Sequence, residues 1–139
     1  ANGIQYLHER NIIHRDIKAD NILLSDNSDY PQIVISDFGY STITSDELND
    51  FLGTPLYKSP QIIMMEPYDG KAADIWAMGI TLYLMVYGNY PFNNPDLEYK
   101  IINNQPIYPD DDISKFIDWI LNKYPSLRPS IDDIVISLT

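Results

Sequence analysis

Apolar and polar positions follow a helical period over most of the second half of the chain. Apolar residues recur three and four positions apart near 60–66, 72–87, 96–104, 113–122 and 130–138, with Pro or Gly between these segments. The first ten residues also fit the end of a helix, because Ile4 and Leu7 lie on one stripe. This pattern predicts a mostly α-helical domain.

Two short β-rich segments interrupt this helical pattern early in the chain. Residues 22–25 and 32–36 are rich in Ile, Leu and Val, and the polar stretch 26–31 separates them, which predicts a small hairpin. Residues 11–21 and 37–60 have no sustained period and are predicted to be loops. A loop as long as the second is uncommon unless it has a function. The expected fold class is α+β, mostly helical with a short β-hairpin.

The chain is strongly acidic, with a formal net charge of -11 over 139 residues. A surface for nucleic acid or for an anionic membrane needs clustered Lys and Arg, so we expect neither partner. An acidic protein favours cations such as Mg²⁺ or basic substrates, although acidity also serves solubility alone. The longest apolar run, from Ile75 to Gly88, is too short to span a bilayer and predicts a buried core helix.

The chain contains no cysteine, so it has neither a disulfide framework nor a thiolate metal site. This fits a reducing compartment, and no segment has the pattern of a signal peptide, so we expect a cytoplasmic location. The first residue is Ala1 rather than Met and already lies in a helical pattern. We therefore expect residues 1–139 to be part of a longer protein.

Several short motifs along the chain contain residues that are able to take part in catalysis. His14-Arg15-Asp16-Ile17-Lys18-Ala19-Asp20-Asn21 fits the pattern H-R-D-L-x-x-x-N apart from Ile17 in place of Leu. Asp37-Phe38-Gly39 follows the predicted hairpin, and Gly53-Thr54-Pro55-Leu56-Tyr57, Asp74-Ile75-Trp76 and Arg128 come later. Any one of these motifs alone indicates only a turn or a solvated pair. Their order and spacing together indicate one functional site.

With these motifs the sequence resembles, over its whole length, the eukaryotic protein kinase family of the Ser/Thr type. The resemblance implies an ATP-dependent enzyme that uses Mg²⁺ and moves the γ-phosphate of ATP to Ser or Thr hydroxyls of a protein substrate. It also implies the C-terminal lobe of the kinase domain, with a catalytic loop at 14–21, an activation segment at 37–61 and a helical subdomain at 62–139. The N-terminal lobe is absent from the sequence, so we expect the isolated chain to be inactive.

The residue types in the motifs fit the needs of phosphoryl transfer, which are a positioned hydroxyl, a metal and charge neutralisation. Asp16 matches a carboxylate that accepts the proton of the substrate hydroxyl, and Lys18 matches a cation that neutralises charge on the transferred phosphate. Asn21 and Asp37 offer hard oxygen ligands suited to Mg²⁺. The resemblance further implies that Thr54 contacts Asp16 and Lys18.

The same resemblance implies supporting roles for other residues. Leu23 matches the apolar floor beneath adenine, while His14 and Phe38 match two members of a stacked hydrophobic column, and Gly39 completes the Asp-Phe-Gly motif. Asp74 matches a carboxylate that accepts backbone N–H bonds from the catalytic loop. Its alternative is a helix-capping Asp, and both roles can hold at once.

Gln61 departs from the family pattern, and Lys58 and Asp20 bear on the choice of substrate. Gln61 stands where the family has a Glu that pairs with the Arg matching Arg128. A buried Arg without its carboxylate costs about 3–5 kcal/mol, and the Gln oxygen is expected to reduce this loss. Lys58 lies near the pocket for the residue after the phosphoacceptor, where many kinases are apolar, so the preference there is open. Asp20 would favour a basic residue on the substrate.

The activation segment has an acidic residue at its usual phosphosite. Arg15 marks kinases whose segment is ordered by a phosphate, and Asp50 holds the matching position. We hypothesise that Asp50 pairs permanently with Arg15, so that no phosphorylation is needed. The alternative is a solvated Asp in the acidic run 46–50. The other candidate phosphosites are Ser41, Thr42, Thr44 and Ser45.

Residues 70–83, 86–88 and 91–92 are most similar to the calcium/calmodulin-dependent kinase kinase group, whose members phosphorylate the activation loops of other kinases. Such a loop is therefore one candidate substrate. The competing hypothesis is a pseudokinase or scaffold that binds without turnover. The four intact residues Asp16, Lys18, Asn21 and Asp37 argue against it, because a scaffold has no chemical need for all of them.

Overall fold

The computed structural model describes residues 1–139 and consists of six α-helices and four short strands. The helices are α1 (Asn2–His8), α2 (Pro60–Ile63), α3 (Gly70–Tyr87), α4 (Leu97–Asn103), α5 (Asp112–Ile120) and α6 (Ile131–Ser137). The strands are β1 (Ile12–Ile13), β2 (Ile22–Leu24), β3 (Ile33–Ile35) and β4 (Thr42–Ile43), and single 3-10 turns cover Ala19–Asn21, Pro55–Tyr57 and Pro125–Leu127. The α+β class with helices in the second half is confirmed, with boundaries that shift by up to three residues.

The strands form two separate antiparallel pairs. β2 and β3 form the predicted hairpin, with Leu23 opposite Val34 in the register. β1 pairs with β4 and was not predicted, so the prediction that residues 11–21 and 37–60 are loops throughout is wrong at these strands. Strands of two residues are too short to leave a period in the sequence. The β1–β4 pair ties the long segment after the hairpin to the chain before residue 14.

Helix α3 is the centre of the core. Its sequence is apolar on nearly all sides, as expected for a helix surrounded by other elements, and Trp76 and Ile80 are fully buried. Gly79 allows α5 to approach closely, because a Cβ there would lie 2.7 Å from side-chain atoms of Ile120 and Leu121. No helix of the chain is both long and apolar enough to cross a membrane.

Candidate active site

A single buried carboxylate holds the catalytic loop, residues 14–21, against helix α3. Asp74 is 2 % exposed and accepts the backbone N–H groups of His14 and Arg15, both at 2.9 Å. The predicted contact between Asp74 and the loop is therefore present. The capping alternative is wrong, because α3 begins at Gly70 and its cap is Asp69.

The same carboxylate has a third partner that the sequence motifs did not identify. The Nε2 atom of His8 lies 3.0 Å from Oδ2 of Asp74, and His8 is only 4 % exposed. His8 follows Ile4 by four residues on α1 and so shares its buried stripe, a signal that periodicity could have given. With three hydrogen bonds, the buried charge of Asp74 is well compensated.

The carboxylate of Asp16 is the centre of the site. Its Oδ1 atom accepts a hydrogen bond from the Thr54 hydroxyl at 2.7 Å, and Nζ of Lys18 donates to the same hydroxyl at 3.0 Å. The Lys18 ammonium also lies 3.6 Å from Oδ2 of Asp16. The amide of Asn21 donates to the Asp16 backbone oxygen at 2.9 Å. A hydroxyl, an ammonium and a carboxylate thus meet at one point.

Two oxygen ligands lie at one end of the β2–β3 hairpin. The N–H of Ser36 donates to the backbone oxygen of Asn21 at 2.8 Å, which brings Asp37, the residue after Ser36, near Asn21 across the hairpin. The side-chain amide nitrogen of Asn21 donates to Asp16, and its Oδ1 accepts no hydrogen bond within the protein. Oδ1 of Asp37 accepts only the N–H of Gly39, at 3.2 Å.

These two ligands fit Mg²⁺ that arrives with a nucleotide rather than a metal held by protein alone. No group of three or more His, Cys, Asp or Glu side chains that could hold a metal ion is present. Mg²⁺ is usually bound through one or two protein ligands, with waters and substrate phosphates completing the shell. The free oxygens of Asn21 and Asp37 meet that requirement.

Apolar side chains of the hairpin are exposed next to these ligands. Leu23 is 50 % exposed and lies opposite Val34, which is 53 % exposed. The ring of His14 contacts Phe38 edge to face, with ring centroids 5.0 Å apart. A contact with adenine needs an accessible apolar surface, and these exposed side chains provide one. The contact predicted for Leu23 itself stays a prediction.

Arg15 connects the catalytic loop with the activation segment, residues 37–61. Its Nη1 atom forms an ion pair with the carboxylate of Asp50, and its Nε atom donates to the backbone oxygen of Tyr40. The hydroxyl of Tyr68 fixes Asp50 from the other side, because it donates to the Asp50 backbone oxygen at 2.8 Å. The hypothesised pair of Arg15 and Asp50 is thus formed. Its consequence for regulation stays a prediction.

Arg128 is a buried cation without a carboxylate partner. It is 7 % exposed, and its Nη2 atom donates to Oε1 of Gln61 at 2.8 Å. Its other donors reach backbone oxygens of Asn122 at 2.7 Å and Ala72 at 3.1 Å. The amide nitrogen of Gln61 donates to the backbone oxygen of Lys123 at 2.9 Å. Neutral oxygens therefore replace the ion pair that the family pattern has here.

Burial near Gln61 lowers the pKa of two basic side chains, Arg128 and Lys123. It lowers the pKa of Arg128 to about 9, and the charge of Asp69 opposes the shift. Burial, helped by the charge of Arg128, also lowers the pKa of Lys123 to about 8. The Lys123 ammonium lies 4.3 Å from the ring centroid of Phe92 and 5.3 Å from that of Trp76. Lys123 could not be identified from the sequence, because nothing local distinguishes it from a surface lysine.

Comparison with known proteins shows the family of the chain. Residues 1–137 match the family described as protein kinase domain. NUAK family SNF1-like kinase 1 of Homo sapiens is 38 % identical over 142 residues, which cover 96 % of this chain and 21 % of the relative. Serine/threonine-protein kinase SRK2E of Arabidopsis thaliana is 36 % identical, covering 95 % of this chain and 40 % of the relative. The chain thus spans less than half the length of these curated relatives.

Proposed function

The chain belongs to the protein kinase domain family, and from this premise we propose that it forms the C-terminal lobe of an ATP-dependent serine/threonine protein kinase. The parent protein would transfer the γ-phosphate of ATP to Ser or Thr hydroxyls of a protein substrate. The observation that carries the proposal is the cluster of Asp16, Lys18 and Thr54, in which a carboxylate already holds a hydroxyl at 2.7 Å.

Asp16 would orient the substrate hydroxyl and accept its proton. A carboxylate within hydrogen-bond distance of a hydroxyl suits general-base catalysis, and Asp16 is 10 % exposed at its side chain, so a hydroxyl can still reach it. Lys18 would lie against the transferred phosphoryl group and neutralise its charge. Thr54 would fix Asp16 and Lys18 relative to each other, which favours one productive geometry.

Bound Mg²⁺–ATP would supply the phosphoryl group and the positive charge that balances it. Asn21 and Asp37 would hold the metal through their free side-chain oxygens, and Leu23 would lie under the adenine. These roles need the N-terminal lobe to close the nucleotide cleft. The proposal therefore concerns the full-length protein and not the isolated chain.

Asp50 would keep the activation segment ordered without phosphorylation. The Arg15–Asp50 ion pair supports this, because a phosphate at the same position would meet the same guanidinium. The tie through the Tyr68 hydroxyl also supports it, because it fixes the backbone of Asp50.

The narrower expectations remain proposals. The resemblance to the calcium/calmodulin-dependent kinase kinase group has no support from the relatives found, which are a NUAK family kinase and SRK2 kinases. A substrate that is another kinase's activation loop rests on that resemblance alone. The proposal of a cytoplasmic location rests on the sequence alone, which contains no cysteine and no pattern of a signal peptide. A pseudokinase that binds nucleotide without turnover is the competing function.

The test is phosphoryl transfer by the full-length protein that contains this chain. It is incubated with γ-labelled ATP, Mg²⁺ and a mixed protein substrate, and the labelled amino acids are identified. We expect label on Ser and Thr, and none when a chelator removes Mg²⁺. Nucleotide binding without any label on protein would favour the pseudokinase.

A further inference from the structure

A small cleft lies beside the Asp16–Thr54 pair. Its volume is about 20 Å³, room for roughly one water molecule. Ile62 and Ala77 are among its apolar lining residues, while Thr54 and Lys58 line it from the activation segment. A group that enters the cleft therefore comes next to the proposed catalytic centre.

All but one of the charged side chains that line the cleft have partners within the protein. Arg15 is paired with Asp50, and Asp74 accepts three hydrogen bonds. Asp16 holds a hydroxyl and an ammonium. Lys58 alone has no ion pair, and its side chain forms no hydrogen bond. Its charge is therefore free for a ligand.

The stem of Lys58 passes beside the backbone of Gly53, the residue before Thr54. Gly53 has a φ of +131°, a conformation that favours glycine, and a Cβ there would lie 3.6 Å from Cγ and 3.9 Å from Cε of Lys58. Lys58 is half-buried. Lysines of this kind keep the stem on the protein and the ammonium in water. Lys58, with its unpaired ammonium, and Thr54 line the same cleft.

We infer that Lys58 makes the proposed kinase prefer an acidic side chain directly next to the Ser or Thr that is phosphorylated. The inference rests on the proposed function and names a feature of its substrate. Neighbouring Cα atoms in a peptide are about 3.8 Å apart, so a residue next to a hydroxyl held at Asp16 lies within reach of the cleft that Asp16, Thr54 and Lys58 line. A carboxylate there meets the unpaired ammonium, while a Lys or Arg is repelled by it.

The test compares peptides that carry Glu, Ala or Lys on either side of the acceptor, using the full-length protein. We expect kcat/KM for Glu to exceed that for Ala by about tenfold at one flanking position, as for a hydrogen bond between charged groups, and Lys to be the poorest. In Lys58→Met, which keeps the stem without the charge, the ratio of Glu to Ala should fall close to one. Lys115→Met, at an exposed lysine on α5, should keep the ratio of the unmodified protein.

A binding measurement separates this inference from the proposed function. Fluorescently labelled peptides with Ala in place of the acceptor are titrated with the unmodified protein and with Lys58→Met. If no peptide is phosphorylated, the proposed function is wrong, and tighter binding of the Glu peptide that Lys58→Met abolishes still supports the role of Lys58. An equal loss for all peptides in Lys58→Met, or a Glu preference that survives it, overturns the inference.

Discussion

The hydroxyl of Thr54 donates a hydrogen bond of 2.7 Å to the carboxylate of Asp16, although the two residues are 38 positions apart in the chain. Lys18 donates to the same hydroxyl at 3.0 Å, so the end of the activation segment and the catalytic loop share one small network. The position of the proposed base thus depends on the folded state of the segment.

Replacing Thr54 tests this dependence. Thr54→Ala removes the hydroxyl that fixes Asp16 and Lys18, and we expect kcat of the full-length protein to fall by about 10- to 100-fold, as for one hydrogen bond to a charged group. Thr54→Ser keeps the hydroxyl and should retain most of the activity. Equal loss in both variants would mean that the methyl group, not the hydroxyl, matters at this position.

The Arg15–Asp50 pair predicts activity without phosphorylation of the segment. Asp50→Ala should lower kcat/KM several-fold, and the double variant Arg15→Ala, Asp50→Ala should lose no more than Arg15→Ala alone, because the two residues act as one pair. Asp46→Ala, in the same acidic run, serves as the control and should change little. Unchanged activity in Asp50→Ala would remove the proposed role of this carboxylate.

The neutral contact between Gln61 and Arg128 predicts that a carboxylate would stabilise the fold. Gln61→Glu should raise the melting temperature by about 2–5 °C, as for a gain near 1 kcal/mol. Loss of the Gln61 hydrogen bond to the Lys123 oxygen limits this gain. Gln61→Met, which has no acceptor, should lower the melting temperature. No rise in Gln61→Glu would mean that the backbone oxygens already satisfy Arg128.

The lowered pKa of Lys123 leads us to expect that the protein becomes more stable at mildly alkaline pH. Its pKa is lowered from 10.5 to about 8 by burial, so between these values the unfolded chain binds a proton that the folded chain has released. The free energy of unfolding should therefore increase as pH rises from about 8 to about 10. Above this range the raised pKa of the buried Tyr57 has the opposite effect, because tyrosine then ionises only in the unfolded chain.

Denaturant unfolding of Lys123→Met across this range checks the assignment. The variant keeps an apolar stem against Phe92 and Trp76, and its stability should rise less with pH than that of the unmodified protein. The part of the rise above about pH 9 that comes from the lowered pKa of Arg128 should remain. Lys115→Met, at an exposed lysine, should retain the rise. A rise of the same size in Lys123→Met would assign it to another group.

The motif residues and the main helices could be predicted from sequence because their signals are local. The spacing within residues 14–21 and the period of α3 need only a few neighbouring positions. The hairpin of β2 and β3 was recognised in the same way, from two apolar runs and a polar turn. Local chemistry therefore accounts for the class of the fold and for the candidate catalytic residues.

The remaining features depend on contacts between distant parts of the chain. The β1–β4 pair joins residues that are about 30 positions apart through two residues each, which leaves no pattern in either segment. The alternative that Asp74 caps a helix is wrong, because the N–H groups of Lys71 and Ala72 donate to Asp69, which is the cap of α3. The low pKa of Lys123 likewise arises from packing alone.

The most direct test of the proposed kinase is the variant Asp16→Asn in the full-length protein. This change keeps the shape of the side chain and removes the carboxylate that would accept the hydroxyl proton. We predict a loss of phosphoryl transfer of about 100-fold or more with nucleotide binding intact, while Asp29→Asn in the exposed hairpin turn keeps full activity. Transfer by Asp16→Asn at the rate of the unmodified protein would contradict the account, and so would the absence of transfer by the unmodified protein itself.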